Sequence, residues 1–186
     1  GGFNNGIAGI NVSSEQVEYH NASGHSVMRL YPGTPGTWPP SDLNALLDYL
    51  IATYPIDPEQ IHLMAHSMGA HRSIEWCGED ADRLATLVTH SPYQLTTSDV
   101  SVANGAVLLP KYVTIAQNPD FYTLPYRAYH AGADSWKAGS QLLAEELNKL
   151  GPAVAEHIVL DGLNHTDGKN WMEASPEVSD FQLSYT

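Results

Sequence analysis

The segment that decides the fold is Ile61-His62-Leu63-Met64-Ala65-His66-Ser67-Met68-Gly69-Ala70. Its first residues are mainly apolar and predict a buried strand, and the residues from about 68 to 76 predict a helix. The turn between them has the pattern small-x-Ser-x-Gly, in which small residues let strand and helix approach closely while the serine is held in a strained position. We therefore predict that Ser67 is a nucleophile. The alternative, that Ser67 only caps the helix, leaves the small residues on both sides unexplained.

The alternation of strand and helix continues on both sides of this segment. Strands separated by helices form a mainly parallel sheet covered on both faces, so we expect one α/β domain over residues 1–186. Residues 93–125 fit the pattern less well and are expected to form either a cap or an irregular insertion, with the apolar stretch 106–116 as a short strand or part of that cap. The predicted strands are 27–31, 61–65, 84–89, 126–130 and 157–160, and the predicted helices begin near residues 41, 68, 135 and 169.

The composition excludes several classes of protein. The chain has 186 residues, of which 42% are hydrophobic, which fits one globular domain. No apolar run approaches the roughly 18 residues that a membrane span needs. The formal charge of −13 repels phosphate backbones, so a nucleic acid is not an expected partner. Cys77 is the only cysteine and is expected to be a small core residue, since no internal disulfide can form.

A serine nucleophile needs a histidine to accept its proton and a carboxylate to orient that histidine. Both should follow strands, because the carboxyl ends of parallel strands meet at one edge of the sheet. Asp134 ends a small-residue turn after the strand at 126–130, and His165 follows the last strand on a loop. Asp120 and Asp161 are the alternative acids, and a helix cap is the alternative role for Asp134. No pairing of the type H-E-x-x-H occurs, so neither a catalytic metal nor another cofactor is expected.

These residues resemble the α/β-hydrolase superfamily, and within it the esterase branch that includes feruloyl esterases, polyhydroxybutyrate depolymerases and phospholipase/carboxylesterase-like proteins. The resemblance covers most of residues 25–172. It implies a mainly parallel sheet with helices on both faces and a carboxylic ester hydrolase with a Ser-Asp-His triad. Three stretches carry it: the segment from Tyr31 to Trp38 continued by 54–61, the turn at 65–70, and the turns that end at Asp134 and His165.

The start of the chain departs from that family pattern. Family members usually have earlier strands, one of which ends in a His-Gly turn that supplies a second oxyanion amide; this chain shows no such strand at its start. Residues 1–6 look like the tail of that turn with its strand cut away. The resemblance therefore implies oxyanion donors at the Met68 amide and at Gly2 or Phe3. The alternative is that this Gly- and Asn-rich end is simply unstructured.

Aromatic and imidazole side chains near these turns are candidates for the substrate pocket: His66, Trp38, Tyr93 and Trp136. Ordinary packing is the alternative for the loop aromatics. The expected substrate is a small-molecule or polymeric ester. A peptidase, a thioesterase or a polyester depolymerase would use the same residues. The alternative from another class is a hydrolase-like domain that no longer catalyses and serves in binding.

Overall fold

The computed structural model describes residues 11–12, 32–33, 39–92, 101–103, 106–108, 119–134, 137–150 and 155–185. The chain divides into two compact units, residues 1–50 and 51–186. In the first unit, Asn11–Val12 (β1) pairs antiparallel with Pro32–Gly33 (β2). The sequence predicted Pro32-Gly33 as a turn instead, but proline is tolerated in short strands at a sheet edge. The predicted strand at 27–31 and the predicted loss of earlier strands lie outside the described residues, and the single domain stays a prediction.

Helix α1 (Pro40–Thr53) confirms the helix predicted from residue 41. It begins at a proline, whose fixed backbone angle suits the first helical position and whose missing N–H has no helical partner to lose. It ends at Thr53 because Tyr54 precedes another proline and is pushed out of the helical region. Leu46, Leu47 and Leu50 recur at helical spacing and are all buried.

The second unit contains a four-stranded, fully parallel sheet in the order β3-β4-β7-β8. Strands β5 and β6 form a separate antiparallel pair. The fold class predicted from the sequence, a parallel α/β sheet with helices, is thus confirmed. In chain order the elements are β3 (His62–His66), α2 (Met68–Asp80), a 3-10 turn (Ala81–Arg83), β4 (Thr86–His90), β5 (Ser101–Ala103), β6 (Ala106–Leu108), α3 (Pro119–Thr123), β7 (Tyr126–Ala131), α4 (Lys137–Leu150), β8 (Ala155–Leu160), α5 (His165–Ala174) and α6 (Pro176–Leu183).

Burial follows the position of each strand in the sheet. Every residue of β4 is buried, because this strand has neighbours on both sides and helices over it, as inner parallel strands do. On one face, Val88 and Tyr129 pack against Met172 of α5 and Phe181 of α6. On the other, His130 lies against Ser140 of α4, since successive strand residues point to opposite faces.

The bounds of three elements differ from the sequence prediction or complete it. Helix α2 continues to Asp80 rather than ending near residue 76. The apolar stretch 106–116 was expected to form a short strand or part of a cap, and its first three residues, 106–108, form strand β6. The prediction that the last helix begins near residue 169 is wrong, because α5 begins at His165. Among the helices of the described ranges, none is long and apolar enough to cross a bilayer.

Candidate active site

Ser67 occupies the strained turn that the sequence predicts. Its φ of 55° and ψ of −120° lie outside the helical and strand regions, and a positive φ is uncommon for a residue with a side chain. The Ser67 amide donates to the carbonyl of His90 at 2.9 Å, and the Ser67 carbonyl accepts from the amide of His71 at 3.1 Å. The turn is therefore anchored to strand β4 on one side and to helix α2 on the other.

Gly69 is less constrained than the small-x-Ser-x-Gly pattern suggests. A Cβ atom at this position would lie 4.0 Å from the Cβ of Ala65, which is ordinary van der Waals contact. The turn thus leaves room for a methyl group at position 69. Position 69 therefore does not require glycine, although the sequence pattern asks only for a small residue there.

Asp134 follows β7 through a tight turn that is tied to β8. The Gly132 amide donates to the Leu160 carbonyl at 2.9 Å, and the Asp134 amide donates to the Ala131 carbonyl at 3.0 Å. A Cβ atom on Gly132 would lie 3.2 Å from that same Leu160 oxygen, so a larger residue would push the two strand ends apart. The turn holds a carboxylate whose side chain is only 13% exposed.

His165 is the first residue of α5, so the prediction that it lies on a loop is wrong. The Asn164 side chain caps the helix by accepting from the amides of Thr166 and Asp167, each at 3.0 Å. This cap is the physical reason that α5 begins here. The ring Nδ1 of His165 lies 2.9 Å from Oδ2 of Asp134, and the ring is 34% exposed. With Nδ1 on the carboxylate, Nε2 is the ring nitrogen left for other chemistry.

The structure brings Asp134 and His165 together but does not join them directly to the Ser67 hydroxyl. Within the described residues, no hydrogen bond links that hydroxyl to the His165 ring. The His165 ring instead lies against His66, the residue before Ser67, with the two ring centroids 4.5 Å apart. Ser67, Asp134 and His165 thus stand at the ends of three strands of one parallel sheet, β3, β7 and β8.

A cluster of three imidazoles lies at this edge, and sequence reasoning missed one of its members. His90, the last residue of β4, is fully buried; its ring stacks on His66 with centroids 5.2 Å apart and lies 6.1 Å from His165. Burial first, and then the neighbouring imidazoles, lower the pKa of His90 to about 4. Burial and His165 also lower the pKa of His66. The available signal was the position of His90 at the carboxyl end of a strand.

Sequence reasoning also missed Ser91, which follows directly. Ser91 is fully buried with a φ of 46°, and its hydroxyl oxygen accepts from the Ala131 amide at 3.2 Å. Burial raises the pKa of Asp134, but hydrogen bonds with His165 and Ser91 outweigh this effect, and the net pKa lies below its usual value. In the sequence, Ser91-Pro92 indicates only a turn.

The other residues singled out in the sequence lie in different surroundings. Met68 is the first residue of α2 and its side chain is 65% exposed. The alternative acids Asp120 and Asp161 are exposed, and Cys77 is buried as expected. No group of three histidine, cysteine or acidic side chains in the described ranges could hold a metal ion. Five predicted residues lie outside the described residues: Gly2, Phe3, Trp38, Tyr93 and Trp136.

No protein-family model matches the chain, and no curated protein sequence does. Solved structures do. Est1E from Butyrivibrio proteoclasticus matches with a TM-score of 0.52 at 17% identity over 78% of this chain and 69% of its own. The esterase domain of a Rhodothermus marinus protein matches with 0.52 at 16% identity over 78% and 68%. An alpha-beta hydrolase from Vibrio vulnificus matches with 0.50 at 17% identity over 79% and 56%.

The chain has the α/β-hydrolase fold. At this identity the likeness extends to the fold alone, and the chain spans just over half the length of the Vibrio protein. In the α/β-hydrolase fold, the nucleophile, the acid and the histidine follow one another along the chain in that order. Ser67, Asp134 and His165 stand in this order here.

Proposed function

We propose that this chain is a serine hydrolase that cleaves carboxylic esters through an acyl-enzyme intermediate. The observation that carries the proposal is the 2.9 Å contact between His165 Nδ1 and Asp134 Oδ2, at the sheet edge that also holds the strained Ser67. The names of two structural neighbours, an esterase domain and an alpha-beta hydrolase, agree with it. The proposed substrate is a small-molecule or polymeric ester.

In the first step, Nε2 of His165 accepts the Ser67 hydroxyl proton while the oxygen attacks the ester carbonyl carbon. Asp134 orients the ring through Nδ1 and stabilises the imidazolium that forms. The tetrahedral intermediate then collapses, His165 donates its proton to the departing alkoxide, and an alcohol leaves. Ser67 remains as an acyl ester. Catalytic hydrogen bonds in a free enzyme are often long and shorten when substrate binds, so the free enzyme need not show a hydrogen bond between Ser67 and His165.

In the second step, His165 accepts a proton from water while the water oxygen attacks the acyl carbon. The second intermediate collapses, the Ser67 oxygen takes back the proton, and a carboxylic acid leaves. Both intermediates carry an oxyanion. We assign one donor to the Met68 amide, because this first amide of α2 stands at the positive end of the helix dipole. A second donor at Gly2 or Phe3 is carried over only from the family resemblance.

The neutral histidines beside the base have a role in this scheme. His66 and His90 pack around His165, and burial lowers the pKa of both rings. They therefore remain uncharged near neutral pH and do not repel the imidazolium that forms at His165. We assign His66, whose ring lies against that of His165, to the wall of the site.

The experiment is labelling with a fluorophosphonate probe together with hydrolysis of p-nitrophenyl acetate. The wild-type chain is expected to react with the probe and to hydrolyse the ester, and Ser67→Ala is expected to lose both. Ser140→Ala is the matched control, because this buried serine lies on α4 beside His130. It should retain both activities. Ester hydrolysis that persists in Ser67→Ala would remove this serine from the mechanism.

The same experiment separates the enzyme from a catalytically impaired binding domain. In the impaired domain, the hydrogen bond between the Ser67 hydroxyl and His165, which the described residues do not show, would not form when substrate binds either. A folded wild-type chain that neither reacts with the probe nor cleaves the ester would support that alternative. Parallel assays with a thioester, a peptide amide and a polyester would distinguish the thioesterase, peptidase and depolymerase variants of the proposal.

A further inference from the structure

The end of β4 is tied to the turns that carry both Ser67 and Asp134. The His90 carbonyl accepts the Ser67 amide at 2.9 Å, while the Ser91 amide donates to the Tyr129 carbonyl at 2.8 Å. The Ser91 hydroxyl accepts the Ala131 amide at 3.2 Å. Because β4 lies between β3 and β7 in the sheet, these two residues connect the nucleophile turn with the acid turn.

The residue type at position 91 is unfavourable for the backbone. A φ of 46° lies in the left-handed region, where glycine is unstrained and serine is not. Full burial adds the cost of desolvating a hydroxyl. Serine differs from glycine here by that hydroxyl, so we expect the hydrogen bonds of the hydroxyl to offset these costs.

This hydroxyl is bonded to the turn that carries the acid. Its oxygen accepts from the Ala131 amide at 3.2 Å, and the Ala131 carbonyl accepts from the Asp134 amide at 3.0 Å. The Ser91 hydroxyl also helps to lower the pKa of Asp134, whose carboxylate accepts from His165 at 2.9 Å. The titratable groups His130 and His90 also interact with this carboxylate, and Lys137 bonds the Gly132 carbonyl in the same turn.

We propose that Ser91 is a positioning residue: its hydroxyl fixes the turn at 131–134 and so holds the Asp134 carboxylate against the Nδ1 of His165. This inference rests on the function proposed above and adds a fourth side chain to the arrangement. Ser91 does not touch the reacting atoms. It acts through Asp134, by fixing the orientation that the acid needs to hold the histidine ring in place.

The test compares Ser91→Ala with Ser91→Gly. Both remove the hydroxyl, but only glycine relieves the left-handed backbone, so Ser91→Gly should unfold at a higher temperature than Ser91→Ala. If the hydroxyl positions Asp134, both variants should nevertheless lose about tenfold in kcat for p-nitrophenyl acetate, with KM little changed, which is the size expected for one buried hydrogen bond. Ser140→Ala, which removes another fully buried hydroxyl, should retain its kcat.

A second readout does not depend on turnover. The proton of His165 Nδ1, held against Asp134, should give a low-field proton resonance in the wild-type chain that moves or broadens in both Ser91 variants and not in Ser140→Ala. Wild-type kcat and an unchanged resonance in the Ser91 variants would overturn the inference. If the wild-type chain has no esterase activity, the proposed function fails, while the resonance still decides whether Ser91 positions Asp134. If Ser91→Ala does not fold, Ser91→Gly still decides both readouts.

Discussion

The ring Nδ1 of His165 lies 2.9 Å from Oδ2 of Asp134, although 31 positions separate the two residues in the chain. If this carboxylate fixes the histidine tautomer, Asp134→Asn leaves the fold intact but presents the wrong nitrogen to Ser67. We expect kcat for p-nitrophenyl acetate to fall by about 10⁴, the order seen when the acid of such a triad becomes an amide.

The two alternative acids provide the controls for this variant. Asp120 and Asp161 are exposed, on helix α3 and after strand β8. Asp120→Asn and Asp161→Asn should therefore keep kcat within about threefold of wild type, since substitutions of exposed side chains usually have small effects. A large loss in either control, with activity retained in Asp134→Asn, would transfer the acid role to that residue.

Gly168 of α5 lies directly against the buried ring of His90. A Cβ atom at position 168 would lie 2.7 Å from Cε1 of that ring and would overlap its Nε2. An alanine in a helix usually stabilises relative to glycine, but here the ring or the helix must move, so we expect Gly168→Ala to cost about 1–3 kcal/mol in the free energy of unfolding. Because His165 begins the same helix, kcat should fall as well. Urea unfolding and the esterase assay measure both.

Gly69→Ala is the matched control for stability. Position 69 is also helical, but its added methyl group meets Ala65 only at 4.0 Å. Its helix propensity should therefore dominate, and the variant should be as stable as wild type or more stable by up to about 1 kcal/mol. Equal destabilisation in both variants would show that the His90 contact is not the cause.

The local sequence was sufficient to predict the elements that position the site. The apolar runs before Ser67 and Asp134 and the proline at position 55 are local signals, and the strands and helices formed nearly where these signals indicate. Chain order and strand ends were enough to select Asp134 and His165, which do meet. Pattern reasoning works here because a parallel sheet brings strand ends to one edge whatever the intervening loops are.

The neighbours of the site could not be predicted in the same way. His90 and Ser91 act through contacts with residues far along the chain, which leave no periodic signal in the sequence. The sequence also gives no sign of the left-handed backbone of Ser91, because glycine or asparagine is the residue type that indicates this conformation and serine is not. The start of α5 differs from the prediction for a local reason, because the Asn164 side chain caps a helix that begins at His165.

The cap at Asn164 gives a prediction for the placement of His165. Its side-chain oxygen accepts from the amides of Thr166 and Asp167, each at 3.0 Å. Asn164→Ala should cost about 1 kcal/mol in the free energy of unfolding, the usual value of an N-cap. It should also lower kcat, because His165 is the first residue that the cap holds. Asn164→Ser supplies another capping oxygen and should recover most of both losses; no recovery would mean that the amide acts in some other way.

Buried histidines predict that stability depends on pH. Burial is the main cause that lowers the pKa of His90 to about 4 and of His130 to about 3, whereas histidines in an unfolded chain titrate near 6.5. Between these values the unfolded chain binds more protons than the folded one, so falling pH favours unfolding. The stability from the neutral rings is complete above about pH 6.5 and is lost progressively as the pH falls towards 4 for His90 and 3 for His130.

Urea unfolding at several pH values between about 6.5 and 4.5 measures this dependence. The range ends there because Asp134, whose pKa is lowered, changes the free energy of unfolding only at lower pH. Each histidine should contribute a slope of up to about 1.4 kcal/mol per pH unit. His130→Phe removes one titrating ring at a fully buried position and should flatten the slope by that amount. Tyr126→Phe, on the same strand, removes the hydroxyl that bonds Thr89 at 3.0 Å and should lower stability equally at every pH in this range. An unchanged slope in His130→Phe would show that His130 is not held neutral by burial in the folded chain.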